Sequence, residues 1–205
     1  MKKIFLIMIL MTIWSCTKKD GFVSDNVGGN QIANGCEGAA YPNWETSKHV
    51  LPYPVGQSYS IGLSHCSGTP HIEGLPDQFA IDINMNVGTL VTASRKGTIM
   101  FVEESGLDYE LPNNIVVLRD EDGYFLQYHH LTNNGSIVEQ GQFVEKGDPI
   151  GYSGASGEAG YPHLHFVASR GGFEAPYMSY PITFSNTSAN PFSLIQGQTY
   201  EALPY

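Results

Sequence analysis

Gly151-Tyr-Ser-Gly-Ala-Ser-Gly-Glu-Ala-Gly-Tyr-Pro-His163-Leu164-His165-Phe166 is the stretch of this chain that best predicts its fold and chemistry. Its glycines permit turns with positive φ and lead into an alternating run of four residues. Side chains alternate between the two faces of a β-strand, so both histidines are expected on one face, with Leu164 and Phe166 on the other. A His-x-His pair alone is more often a solvated strand face than a metal site, so the interpretation depends on the rest of the chain.

The remaining sequence favours strands over helices. The chain has 205 residues, including 23 Gly and 12 Pro, and shows no convincing amphipathic helix. Short apolar runs separated by turn residues predict strands. These runs lie within residues 51–65, 78–102, 114–119, 124–131, 138–151, 167–170, 180–185 and 197–201. We therefore predict an all-β fold: an antiparallel two-sheet sandwich or barrel-like core with long loops and little or no helix.

The first fifteen residues are typical of an export signal. Lys2 and Lys3 precede an apolar run, residues 4–14, that is too short to form a stable transmembrane helix. The run ends in Ile-Trp-Ser-Cys16, which resembles the bacterial lipobox. We predict a lipoprotein signal peptide at residues 1–15 and a lipid-modified Cys16, with an ordinary cleaved signal as the alternative. Several acyl chains on one cysteine give stable membrane anchoring, which would place the protein in the bacterial cell envelope, outside the cytoplasm.

Residues 16–45 contain few large apolar side chains and are predicted to be a flexible tether, followed by a folded domain at residues 46–205. Two further cysteines, Cys36 and Cys66, would lie outside the cytoplasm. Since no Cys-x-x-Cys pair is present, they are expected to form a disulfide rather than a metal site.

The net negative charge limits the classes of molecule that the protein is expected to bind. The net charge is −10, and loss of Lys2 and Lys3 with the signal peptide leaves −12. This charge argues against binding to nucleic acid or to an anionic surface. It is compatible with a neutral peptide substrate.

Three motifs follow one another in a specific order. They are Phe79-Ala-Ile-Asp82 with the glycine-containing run at 87–93, Tyr128-His-His130-Leu, and the stretch at 151–166. Together they resemble the lysostaphin/LytM-type zinc endopeptidases. The resemblance implies a LytM-type fold, bound Zn²⁺ and hydrolysis of peptide bonds in peptidoglycan stem or cross-bridge peptides. It also implies that Asp82 and His165 are zinc ligands, and that His130 and His163 are catalytic residues acting on the substrate side.

One position departs from the family pattern. The family usually has a histidine four residues before the aspartate, and here that position is Gln78, whose amide oxygen is a weak zinc ligand. We expect His71, at the start of a longer loop, to be the third ligand. His65, Gln78 or no third ligand are the alternatives. Asp77 is an alternative carboxylate, although the position of Asp82 matches the family.

Two other residues near the motifs are assigned lesser roles. His129 is adjacent to His130, so strand alternation predicts that it points to the other face. Tyr161 is expected either to line a substrate groove or to pack in its turn.

The resemblance therefore implies a lipid-anchored zinc endopeptidase, expected to be a monomer. The alternative is a metal-free, degenerate LytM-like domain that binds or activates another cell-wall hydrolase, and Gln78 motivates this alternative. The retained site residues favour the enzyme; they are Asp82, His130, His163 and His165.

Overall fold

The computed structural model describes residues 35–205, so the predicted signal peptide and Cys16 lie outside the described residues. Within residues 35–205 the only helical element is a turn of 3-10 helix at Trp44–Thr46. No helix in this part of the chain is long and apolar enough to cross a membrane. The strands are β1 (Ser58–Leu63), β2 (Ile81–Asn84), β3 (Leu90–Thr92), β4 (Gly97–Glu103), β5 (Ile115–Asp120), β6 (Phe125–His129), β7 (Leu131–Ser136), β8 (Phe143–Val144), β9 (Pro149–Ser153), β10 (His163–Arg170), β11 (Met178–Ser179) and β12 (Thr199–Glu201).

The strands form two sheets. The larger sheet has nine strands in the order β12-β1-β2-β10-β6-β5-β4-β8, and β11 pairs with the end of β10. The smaller sheet has three strands in the order β3-β9-β7. All neighbouring strands are antiparallel. This arrangement confirms the predicted all-β, antiparallel two-sheet architecture.

One cluster of buried apolar side chains joins the two sheets. Val91 and Ile150 contribute from the smaller sheet, and Leu118, Leu164 and Phe166 contribute from the larger one. Removal of this apolar surface from water is the main favourable term in folding. The predicted packing face of the His-Leu-His-Phe run therefore forms part of the core.

The structure differs from the prediction at residues 180–185, which do not form a strand. Pro181 has no N–H group to donate to a sheet ladder. A side-chain amide takes the place of a neighbouring strand: the Phe184 N–H donates to Asn190 Oδ1 (2.8 Å), and Asn190 Nδ2 donates to the Phe184 carbonyl (2.9 Å). The segment is thus held by local side-chain hydrogen bonds.

The described end of the predicted tether, residues 35–45, contacts the folded domain. Cys36 and Cys66 form a disulfide, with their Cα atoms 5.1 Å apart. The Tyr41 hydroxyl accepts a hydrogen bond from the Cys36 N–H (3.0 Å) and lies 3.2 Å from His65 Nδ1. The predicted domain boundary at residue 46 stays a prediction.

The core position of Phe166 gives a stability prediction. Its fully buried ring lies 5.1 Å from that of Tyr128, so Phe166→Ala should lower the free energy of unfolding by about 3–5 kcal/mol through lost burial and a residual cavity. The matched control is Phe143→Ala, at a ring that is 53% exposed, and it should cost less than about 1 kcal/mol. Urea unfolding of the full chain measures both changes. Equal losses for the two variants would contradict the assignment of the core.

Candidate metal centre

Pairing between three neighbouring strands places the candidate residues together. Asp82 on β2 lies directly opposite His165 on β10, and His165 lies directly opposite His129 on β6. Residues opposite each other on antiparallel strands share a face of the sheet. His163 lies two positions before His165 and therefore projects from the same face.

Three ligand-type atoms form a compact triangle at this position. His165 Nδ1 lies 2.9 Å from Asp82 Oδ1, His71 Nε2 lies 3.3 Å from His165 Nδ1, and His71 Nε2 lies 3.4 Å from Asp82 Oδ1. In a tetrahedral zinc site with bonds of about 2.0–2.1 Å, neighbouring ligand atoms are about 3.3 Å apart. All three side chains are buried. The donor set, two imidazoles and one carboxylate, therefore fits a zinc ion without rearrangement of the strands.

The structure separates the three candidates for the third ligand. His71 is fully buried at the triangle. Gln78 instead accepts a hydrogen bond from the Gly74 N–H (2.7 Å) within its own loop. His65 contacts the hydroxyl of Tyr41 and lies outside the clusters of ligand-type residues found in the described part of the chain.

A second pair of imidazoles lies beside the triangle. His163 Nδ1 donates to the Tyr161 carbonyl (2.8 Å), and His130 Nδ1 donates to the Ser156 carbonyl (2.8 Å). Each bond fixes a tautomer, in which Nε2 is left as an unprotonated acceptor. The two ring centroids are 4.7 Å apart, and His163 Nε2 lies 3.6 Å from Asp82 Oδ1. Both imidazoles can thus exchange protons with a group bound next to the triangle.

The position of His129 corrects the sequence prediction, which placed it on the opposite face. Its ring lies 5.2 Å from that of His165, on the side of the candidate site. The strand β6 ends at His129, and His130 has a φ of 60°, so the alternation of side chains stops between the two histidines. Asn113 supports both, since its Oδ1 accepts from the His130 N–H (2.9 Å) and its Nδ2 donates to His129 Nδ1 (3.0 Å). A left-handed backbone at a histidine has no clear sequence signal.

An open cavity of about 420 Å³ adjoins the cluster. It is lined by Pro70, Asp77, Leu111, Asn113, His129, His130, Glu158 and His165. Tyr161, which is 40% exposed, stacks on His163 with 4.4 Å between ring centroids and borders the site. A larger cavity of about 510 Å³ lies around Arg170 and Tyr180, and none of the clustered histidines lines it. Of the three triangle residues, His165 lines the cavity at the cluster, so this cavity adjoins the candidate metal site.

Two carboxylates control the charge of His165. Burial lowers its pKa, but hydrogen bonding and charge interactions with Asp77 and Asp82 outweigh burial and raise the pKa to about 9. Burial likewise opposes ionisation of Asp82, yet hydrogen bonds from His165 and His71 hold its pKa well below the usual value. Without a metal ion, the cluster therefore holds a carboxylate and an imidazolium at neutral pH.

The second pair of imidazoles is neutral. Burial, followed by charge interactions with His165 and His163, lowers the pKa of His130 to about 4. Burial is also the main reason why the pKa of His163 is lowered. Both rings therefore start as proton acceptors at pH 7.

The raised pKa of His165 predicts the pH dependence of zinc binding. The metal-free protein holds a proton on His165 below about pH 9, and this proton must leave when the ring becomes a ligand. The apparent association constant for zinc should therefore rise about tenfold per pH unit between about pH 6.5 and 8.5. Competition with a chelating dye, corrected for the titration of the dye itself, measures the slope. A flat profile over this range would contradict the charged state assigned to His165.

Comparison with known proteins finds similarity to peptidases. Residues 77–175 match the profile of a family described as Peptidase family M23. Lysostaphin of Staphylococcus staphylolyticus is 32% identical over 106 residues, which cover 52% of this chain and 21% of lysostaphin. ShyA of Vibrio cholerae, described as a peptidoglycan DD-endopeptidase, is 33% identical over 85 residues, which cover 42% of this chain and 18% of ShyA. The chain therefore spans about a fifth of the length of these two relatives.

A solved structure shows the same fold. Pseudoalterin, described as a novel M23 metalloprotease from the deep sea, superposes with a TM-score of 0.50 at 20% identity, covering 69% of this chain and 80% of that chain. At this level of identity the similarity shows the fold alone.

Proposed function

Residues 77–175 of this chain are a peptidase family M23 domain, and from this premise we propose that the protein is a zinc-dependent endopeptidase. Its proposed substrates are peptide bonds in the stem or cross-bridge peptides of peptidoglycan. The observation that carries the proposal is the triangle of His71, Asp82 and His165, whose edges of 2.9–3.4 Å match the spacing of ligands around zinc.

In this proposal the ion is held by His71 Nε2, Asp82 Oδ1 and His165 Nδ1. Three protein ligands leave a fourth coordination position open, as catalytic zinc sites require. A zinc ion held there would polarise a peptide carbonyl and lower the pKa of a water molecule.

His130 and His163 perform the proton transfers. Each presents an unprotonated Nε2 because its Nδ1–H is held by a backbone carbonyl. An imidazole in this state accepts a proton from the attacking water, and as an imidazolium it donates to the departing amine. The second imidazole can take a proton from solvent, stabilise negative charge on the carbonyl oxygen, and return the proton to solvent when the bond has broken.

The proposal also covers the substrate and the cellular location of the protein. An open cavity adjoins the cluster, as a peptide substrate requires, and ShyA is described as acting on peptidoglycan. A lipid anchor on Cys16 would hold the protein in the cell envelope, on the side where peptidoglycan lies. The protein is proposed to act as a monomer.

The alternative, a metal-free domain that binds or activates another hydrolase, rested on Gln78. The position of His71 in the triangle supplies the imidazole that Gln78 lacks, so it favours the enzyme. We therefore retain the alternative only as an outcome of the experiments below.

Removal of a ligand tests the metal centre. His71→Ala should weaken zinc binding by more than the 10–100-fold that the loss of a supporting contact typically causes, because it removes a ligand itself. His65→Ala, which removes a buried ring outside the triangle, should leave the zinc content at about one per chain. Metal analysis of the purified full chain after dialysis measures both. The reverse pattern would transfer the ligand role to His65.

Replacement of the second pair of imidazoles tests the chemistry. His130→Ala and His163→Ala should each retain zinc and lower the turnover of cross-linked peptidoglycan by about 10²–10⁴-fold, because proton transfer is lost. Turnover is measured as new amino groups released from purified peptidoglycan, with His65→Ala as the control for a histidine outside the site. A wild type that remains metal-free after zinc supplementation and releases no new amino groups from peptidoglycan would favour the metal-free alternative.

A further inference from the structure

We propose that Asp77 is a positioning residue for His165, and that Tyr177 in turn holds Asp77. This inference rests on the proposed function, because it concerns how a zinc ligand is oriented. From the sequence, Asp77 appeared only as an alternative metal-binding carboxylate. In the structure, Asp77 lies on the side of His165 that faces away from the ligand triangle.

Asp77 and Asp82 face different nitrogens of the same imidazole. Asp82 Oδ1 lies 2.9 Å from His165 Nδ1, on the side where His71 completes the triangle. Asp77 Oδ1 lies 3.5 Å from His165 Nε2, on the other side of the ring. A carboxylate on that side does not share an ion with Nδ1, so Asp77 is not a ligand of the proposed metal.

The chemistry of a ligand imidazole defines what Asp77 contributes. The nitrogen that binds a metal must be unprotonated, so the proton resides on the other nitrogen, which then needs an acceptor. Asp77 is that acceptor for His165 Nε2. Its distance of 3.5 Å is about half an ångström longer than the usual hydrogen bond, so in the metal-free protein the contact is an ion pair.

The contrast with His71 shows that this support is specific to His165. The Nδ1 atom of His71 is buried without a hydrogen-bond partner among the described residues. His71 therefore has polar neighbours at Nε2 alone, whereas a carboxylate faces each ring nitrogen of His165. The orientation of His165 therefore depends on Asp77 in a way that the orientation of His71 does not.

Tyr177 fixes the carboxylate from another part of the chain. Its hydroxyl donates a short hydrogen bond to Asp77 Oδ1, the same oxygen that faces His165. Asp77 lies in the loop before β2, and Tyr177 lies in the segment between β10 and β11. The hydrogen bond thus joins the loop that carries His71 to the segment that follows the ligand strand.

Zinc affinity tests the inference without reference to activity. Asp77→Ala in the full chain should weaken zinc binding by about 10–100-fold, the range typical of contacts that orient a ligand. Asp77→Asn keeps an oxygen acceptor and should recover most of the loss, and Tyr177→Phe should weaken binding by less than about tenfold. Glu73→Ala removes an exposed carboxylate from the same loop and should leave the affinity within about twofold.

Two further measurements separate positioning from general destabilisation. Long-range ¹H–¹⁵N spectra of the zinc-loaded wild type should place the His165 proton on Nε2, facing Asp77. The thermal midpoint of each metal-free variant shows whether the fold is intact. If Asp77→Ala does not fold, Tyr177→Phe decides the outcome, because a measurable loss of zinc affinity supports the role of Asp77 and an unchanged affinity overturns it.

The outcomes distinguish this inference from the proposed function. Unchanged zinc affinity in a folded Asp77→Ala variant would overturn the role of Asp77 alone. A His165 proton on Nδ1 in the zinc-loaded protein would overturn both the role of Asp77 and the assignment of Nδ1 as the zinc-binding atom. A wild-type protein that binds zinc, responds to Asp77→Ala and cleaves no peptide would overturn the endopeptidase and leave the positioning role standing. A wild-type protein that binds no zinc would overturn both.

Discussion

The pairing of β2 with β10 is the constraint on which the rest of the site depends. It places Asp82 directly opposite His165, so that a carboxylate oxygen and an imidazole nitrogen lie 2.9 Å apart in buried surroundings. A shift of one residue in this register would turn either side chain to the opposite face of the sheet. The register is held from behind by Leu164 and Phe166, which lie in the core, so the packing of the two sheets and the geometry of the cluster are not independent.

The buried charges of the cluster indicate a role beyond packing. A carboxylate and an imidazolium removed from water are costly unless each is paired. In the metal-free protein Asp82 and His165 compensate each other, with Asp77 on the far side of the ring. Zinc would replace the proton of His165 as the positive charge in the cluster. The two carboxylates therefore require a positive charge between them, either the imidazolium of His165 or a metal ion. This requirement favours a metal centre over a purely structural ion pair.

Much of the fold followed from local sequence patterns, whereas the candidate residues of the site followed from the family resemblance. Alternation in His163-Leu-His165-Phe correctly separated the core face from the polar face, and the predicted two-sheet antiparallel architecture is observed. Tertiary geometry decided the rest. His130 adopts a left-handed backbone, so His129 turns toward the site, and the loop path that brings His71 to Asp82 has no periodic signal. The role of Asp77 depends on which imidazole nitrogen it faces, which spacing along the chain does not encode.

The most direct test of the account is a crystal structure of the full chain grown with zinc, with anomalous scattering recorded on both sides of the zinc absorption edge. A single strong anomalous peak is expected within bonding distance of His71 Nε2, Asp82 Oδ1 and His165 Nδ1, with no fourth protein ligand. A cluster without a peak in zinc-grown crystals, or a peak held by other side chains, would contradict it.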